Sequence, residues 1–142
     1  MSSVTRKFLN NLATNFIETR LDAVAESFVF PVPIYAHGNL QVFGAACTLK
    51  EVLVLYRDAM EQAGITRVVP RVLAEGLPVN GYSNVWVEWD HFDAAGRCLR
   101  TSHVHYVFFQ HDTALFPKIE LVEYKTMAFP EVCAAFPMTL TA

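Results

Sequence analysis

The sequence predicts an α+β domain in which three N-terminal helices pack on a strongly curved, mixed or antiparallel sheet. Apolar residues recur at helical spacing only before Gly64, and from Ile65 onward the apolar period falls to two. No helical stretch separates the later runs. Strands joined by short turns run antiparallel, which distinguishes α+β from parallel α/β.

In the first helix Val4, Phe8, Leu12 and Phe16 recur every four residues, with Leu9, Ala13 and Ile17 widening the stripe. Thr19-Arg20-Leu21-Asp22 has the form of a capping box that starts a second helix, whose apolar face is Leu21, Val24, Ala25 and Phe28. Pro31 and Pro33 end it. Residues 32–37 and 40–44 read as two short strands around a Gly38-Asn39 turn, forming a small flap. Thr48-Leu49-Lys50-Glu51 reads as a second capping box. It opens a helix over 49–63 with Gly64 as its C-cap. Residues 66–77, 82–92, 98–110 and 116–127 are the four long strands, with Pro78-Val79-Asn80-Gly81 and Asp93-Ala94-Ala95-Gly96 between the first three. The apolar tail, 128–142, is expected to lie along the body or a partner subunit.

A chain of 142 residues is the size of one domain, here 1–142 with its core over 4–127. At 53% hydrophobic residues, including 11 Phe, apolar side chains suffice for a core with some left for a pocket or an interface. A net charge of −3 with scattered Lys and Arg excludes nucleic acid as the main partner. No run approaches the ~18 apolar residues of a membrane span, so no membrane partner is predicted and the expected location is cytoplasmic. The three cysteines, Cys47, Cys98 and Cys133, lie too far apart for a zinc motif and are read as reduced, buried thiols.

The order of elements resembles the nuclear transport factor 2-like superfamily. The likeness rests on residues 21–28 (Leu-Asp-Ala-Val-Ala-Glu-Ser-Phe) before the hairpin, the Phe43-Gly44 bend into Thr48-Leu49-Lys50-Glu51, and Val85-Trp86-Val87-Glu88-Trp89 in the sheet. That superfamily includes ketosteroid isomerases, scytalone dehydratases and SnoaL-like polyketide cyclases. The resemblance implies a cystatin-like cone, with one sheet face lining a cavity and the other often forming a dimer.

Strand parity then assigns the faces. Val85, Val87, Trp89, Thr101, His103, His105, Val107, Phe109, Val122, Tyr124 and Thr126 form the expected pocket set. Trp86, Glu88, Asp90, Ser102, Val104, Tyr106, Phe108, Leu121, Glu123 and Lys125 form the outer set, through which a homodimer is expected.

His103 and His105 share a face two residues apart, and imidazoles titrate near neutrality, so they are the candidate catalytic pair. Tyr124 on the next strand and Tyr35 on the flap would donate hydrogen bonds to developing negative charge. His37, Trp89, Val87, Val122, Phe16 and Tyr56 are expected to contact the ligand, whereas His91 and His111 read as solvated strand-end residues. His37 or His91 beside the pair could complete a zinc or iron site, but no carboxylate falls next to them and no metal is assigned. The tyrosine and flap carboxylate of ketosteroid isomerases have no counterpart here. The function expected is binding of a small apolar, carbonyl- or hydroxyl-bearing molecule without an organic cofactor. Lyase, isomerase or cyclase chemistry is one reading, and a non-catalytic ligand-binding or dimerising accessory domain is the alternative.

Overall fold

The computed structural model describes residues 2–134. Helix α1 (Ser3–Ile17) begins at Ser2, whose Oγ accepts from the Thr5 N–H at 3.3 Å. Glu75, on a distant strand, ties the same end down by accepting from the Ser2 N–H (3.0 Å) and Thr5 Oγ1 (2.6 Å). A carboxylate at a helix N-terminus also favours the helix dipole. Phe8, Leu9, Leu12 and Ala13 form its buried stripe.

The expected capping box at Thr19 does not form. Thr19 takes φ 61° and ends α1, with Thr19 N–H donating to Phe16 O (3.1 Å) and Arg20 N–H to Asn15 O (2.8 Å). Its hydroxyl donates to the Glu18 carbonyl, so α2 (Leu21–Ala25) starts without a side-chain cap. Helix α3 (Ala46–Gln62) likewise starts before Thr48, whose hydroxyl donates back to Ala45 O at 2.7 Å. Gly64, with φ 82°, follows its end as expected.

Strands β1 (Val32–Ala36) and β2 (Asn39–Phe43) form the predicted hairpin, but its two turn residues are His37 and Gly38, with φ of 53° and 74°. The hairpin is no flap. β1 pairs in parallel with the last strand, Ile34 opposite Val122, and so extends the main sheet. Strands β3 (Ile65–Glu75), β4 (Tyr82–Asp93), β5 (Cys98–Phe109) and β6 (Lys118–Thr126) supply the antiparallel remainder. The curved, unclosed mixed sheet has the order β2-β1-β6-β5-β4-β3. Gly81 (φ 85°) closes the β3–β4 turn, where an added Cβ would lie 2.8 Å from the Phe109 ring.

The main core lies between helices and sheet, joining Phe8, Leu9, Leu12, Leu49 and Leu53 to Val85, Val87, Val104, Tyr106 and Phe108. A second cluster joins Met60 and Ile65 to Ala128, Phe129 and Val132, so the described start of the tail, with the short helix α4 (Pro130–Ala134), packs on the body. Residues 135–142 lie outside the described residues. Cys47 and Cys98 are exposed, against the expectation of buried thiols, and the Cys133 side chain lies outside the described residues. Among the described residues no helix is long and apolar enough to cross a membrane.

The parity assignment holds for β4 and for Val122 and Tyr124 of β6, is inverted for β5, and fails at Thr126, which a register shift places opposite His103 on the outer face. Phe92 pairs with Cys98 but His91 pairs with Arg100, so Leu99 is an extra residue in a β-bulge. Beyond it Val87 lies opposite Val104 and Val85 opposite Tyr106, while His105 lies opposite Trp86 and His103 opposite Glu88. One inserted residue reverses every later side chain of a strand. Ser102, Val104, Tyr106 and Phe108 therefore face the helices, and His103 and His105 lie on the outer face.

Candidate ligand-binding site

An apolar cavity of about 140 Å³ lies between the helices and the inner sheet face. Helices α1 and α3 contribute Leu12, Phe16, Leu53 and Tyr56 to its wall, and the hairpin contributes Ile34 and Gln41. From the sheet and the start of the tail come Trp89, His91, Ser102, Tyr106, Val122, Tyr124 and Met127. Among the described residues no Lys, Arg, Asp or Glu lines it.

The polar side chains of the sheet wall are tied to fixed partners. Ser102 is 1% exposed, and its Oγ accepts from the Ala128 N–H at 2.9 Å and lies 3.3 Å from the Tyr56 hydroxyl. Trp89 Nε1–H donates to the Tyr106 hydroxyl at 2.8 Å, and burial raises the Tyr106 pKa, so the phenol stays neutral. His91 is 2% exposed, with Nδ1 at 3.0 Å from the Trp89 carbonyl oxygen. A carbonyl only accepts, so the proton sits on Nδ1 and Nε2 carries the lone pair. Burial lowers the His91 pKa, outweighing the opposing effects of the Trp89 and Arg100 carbonyls. Tyr56 and Phe129 pack around this end, with ring centroids 6.4 and 5.6 Å from that of His91.

Of the residues singled out in the sequence, Phe16, Tyr56, Trp89, Val122 and Tyr124 line this cavity. Val87 is fully buried on the inner face but belongs to the core behind the wall. The remaining four lie elsewhere. Tyr35 is 41% exposed and pairs with Glu123, on the outer side of the sheet, while His37 is exposed in the hairpin turn. His105 stacks on Trp86, with ring centroids 4.8 Å apart. Its Nδ1 is 3.1 Å from Glu123 Oε1 and its Nε2 is 2.8 Å from Asn84 Oδ1. Hydrogen bonds from His105 and then Lys125 hold the Glu123 carboxyl below the usual range. The His103 backbone N–H donates to Thr126 Oγ1 at 3.2 Å. The histidine pair therefore cannot reach a molecule in the cavity, because the sheet stands between them. A metal site combining the pair with His91 fails for the same reason, and among the described residues no three His, Cys, Asp or Glu side chains gather as ligands.

His91, expected as a solvated strand-end residue, lines the cavity instead. Continuing the alternation Val85, Val87, Trp89 by two residues puts it on the inner face, a signal that was present in the strand itself. Ser102 and Tyr106 carried no such signal, since the bulge at Leu99 leaves no mark in the apolar pattern.

Similarity to solved structures bears on this geometry. ActVI-ORFA from Streptomyces coelicolor superposes with a TM-score of 0.62 at 12% identity, covering 92% of this chain and 93% of that one. A domain of unknown function with a cystatin-like fold from Nostoc punctiforme superposes at 0.63 with 15% identity, covering 88% and 76%. An NTF-2 like protein of unknown function from Shewanella oneidensis gives 0.60 at 12% identity, covering 83% and 93%. This chain has the nuclear transport factor 2-like, cystatin-like fold. No protein-family model and no curated protein sequence matches it. In this nuclear transport factor 2-like chain the cavity falls between the helices and the inner sheet face, while the outer face carries His103, His105, Glu88 and Glu123. Identities this low carry the fold and no activity.

Proposed function

We propose that this chain binds a small, neutral, mostly apolar molecule in the cavity between helices and sheet, with His91, Ser102 and Tyr56 orienting its polar group. The observation that carries this reading is an apolar cavity of about 140 Å³ whose wall holds a neutral imidazole and no charged side chain among the described residues. Thermal unfolding with toluene, anisole, phenol and cyclohexanol tests it. Ligands that bind only the folded state raise Tm, by an amount that grows with concentration. Ala13→Leu, which fills part of the cavity, should abolish the shift. Absence of a shift with every compound in the unsubstituted protein defeats the proposal.

A catalytic reading, as a cofactor-independent lyase or isomerase, is supported by the same imidazole. A neutral histidine in an apolar wall can take a proton from a bound carbonyl compound at the carbon next to the carbonyl, leaving an enolate. Incorporation of solvent deuterium into cyclohexanone, faster with the protein than with His91→Asn, is the expected outcome. Equal rates would leave a binding domain.

We further propose a homodimer through the outer sheet face. That face presents Trp86, Val107 and Leu121 among Glu88, His105, Glu123 and Lys125, and the core joins the helices to the other face. Sedimentation at micromolar protein should give twice the monomer mass, and Trp86→Glu should return it to the monomer. A monomer throughout refutes the dimer.

A further inference from the structure

The wall of the cavity also says which polar group its occupant should carry. We infer that the cavity selects a neutral single-ring compound bearing a hydrogen-bond-donating hydroxyl, a phenol or cyclic alcohol, which donates to Nε2 of His91; the inference rests on the cavity being a ligand site.

Size sets the first limit. A cavity of about 140 Å³ is close to the ~150 Å³ at which an apolar cavity in a protein takes up benzene, so one ring with a small substituent matches its volume. Charge sets the second. With no Lys, Arg, Asp or Glu in the described wall, a carboxylate or ammonium group would lose its hydration without gaining a counter-ion. Shape follows from the aromatic edges. Phe16 and Tyr56 meet at 78° with centroids 5.7 Å apart, and Trp89 and Tyr106 stand in the same wall, so planar rings find edge-to-face partners there.

The direction of the hydrogen bond comes from the tautomer. The Trp89 carbonyl fixes the proton of His91 on Nδ1, and burial keeps the ring neutral, so Nε2 is an acceptor. A hydroxyl satisfies it. An ether or aldehyde oxygen would set one lone pair against another. Near this end Ser102 Oγ already accepts from the Ala128 N–H, and the Nε2 side of His91, opposite the Trp89 carbonyl, is the acceptor to which the occupant's hydroxyl is assigned.

Dissociation constants for toluene, anisole and phenol, measured by NMR titration near pH 7.5, test the inference. Toluene and anisole match phenol closely in shape but cannot donate. Phenol should bind about tenfold more tightly than either, the difference expected from one well-made buried hydrogen bond. His91→Phe should bring phenol to the level of anisole while toluene changes by less than about threefold. The ¹⁵N resonance of His91 Nε2 in the unsubstituted protein gives a readout that needs no variant: it should move with phenol and stay with anisole. If toluene and anisole bind while phenol gains nothing and the resonance stays put, the ligand class is wrong and the cavity remains a binding site. If none of the three binds, the cavity reading fails and this inference with it.

Discussion

Replacing Val104 by Ala measures directly which face of β5 is buried. Val104 is fully buried, paired with Val87 on one side and Tyr124 on the other. The change removes two methyl groups, worth about 0.8 kcal/mol each in lost transfer free energy. The sheet backbone cannot collapse into the space, which adds on the order of 1 kcal/mol as a cavity term. The expected loss is thus about 2.5 kcal/mol. With an m-value of about 2 kcal/mol/M the urea midpoint falls by about 1.2 M. At about 3 °C per kcal/mol for a domain of this size, Tm falls by about 7 °C. Trp86 and Trp89 provide the fluorescence signal. His105→Ala is the control. It loses a partly screened contact to Glu123 and a stack on Trp86, so it should cost no more than about 1 kcal/mol. A larger loss for His105→Ala than for Val104→Ala would mean that the Leu99 bulge is misplaced and that the histidines face inward after all.

Two further outcomes follow from the cavity wall. Ser102→Ala strands the buried Ala128 N–H and should destabilise by about 2 kcal/mol, with the Ala128 amide losing hydrogen-exchange protection; an unchanged midpoint and unchanged protection would break the assigned link between β5 and the tail. Because the folded-state pKa of His91 lies below its ordinary 6.5, the unfolded chain binds the proton more tightly and stability falls as pH drops below about 6.5. Asp90 and Glu123 are shifted the same way from much lower ordinary values, 3.8 and 4.5, so their contribution is present above those values and is lost only as pH falls below them. Denaturation midpoints between pH 7.5 and 5 should therefore fall in the unsubstituted protein and stay flat in His91→Phe. A slope that persists in the variant assigns the effect to another group.

The helices, the four long strands and their turns were legible because period and punctuation are local properties. The stripe of Phe8, Leu12 and Phe16 and the Asn80-Gly81 turn need nothing beyond their neighbours. Helix starts were less legible. Thr19 and Thr48 have the chemistry of caps, but Thr19 is consumed in ending α1 and α3 has begun before Thr48. The site was legible in kind and not in membership. A histidine beside tyrosines in a cavity was expected, and His91 with Tyr56 is what the fold supplies, because the face on which β5 places its residues depends on one unpaired residue. Both parities of β5 are comparably apolar, with Val104, Tyr106 and Phe108 on one and Val107 and Phe109 on the other, so hydrophobicity could not choose between them. Nor could it place β1, whose parallel partner lies nearly ninety positions further along the chain.

That last pairing governs the order of events during folding. The hairpin forms from adjacent residues, within microseconds in isolated peptides, yet it can join the sheet only after β6 exists. Helices α1 to α3 likewise carry apolar stripes that have no sheet to cover until the second half of the chain has emerged. At synthesis rates of about 5–20 residues per second the N-terminal half is exposed for several seconds with its apolar faces uncovered. A domain wired in this way folds only once β6 has been made, and a nascent chain stopped before β6 should remain open to proteolysis along most of its length.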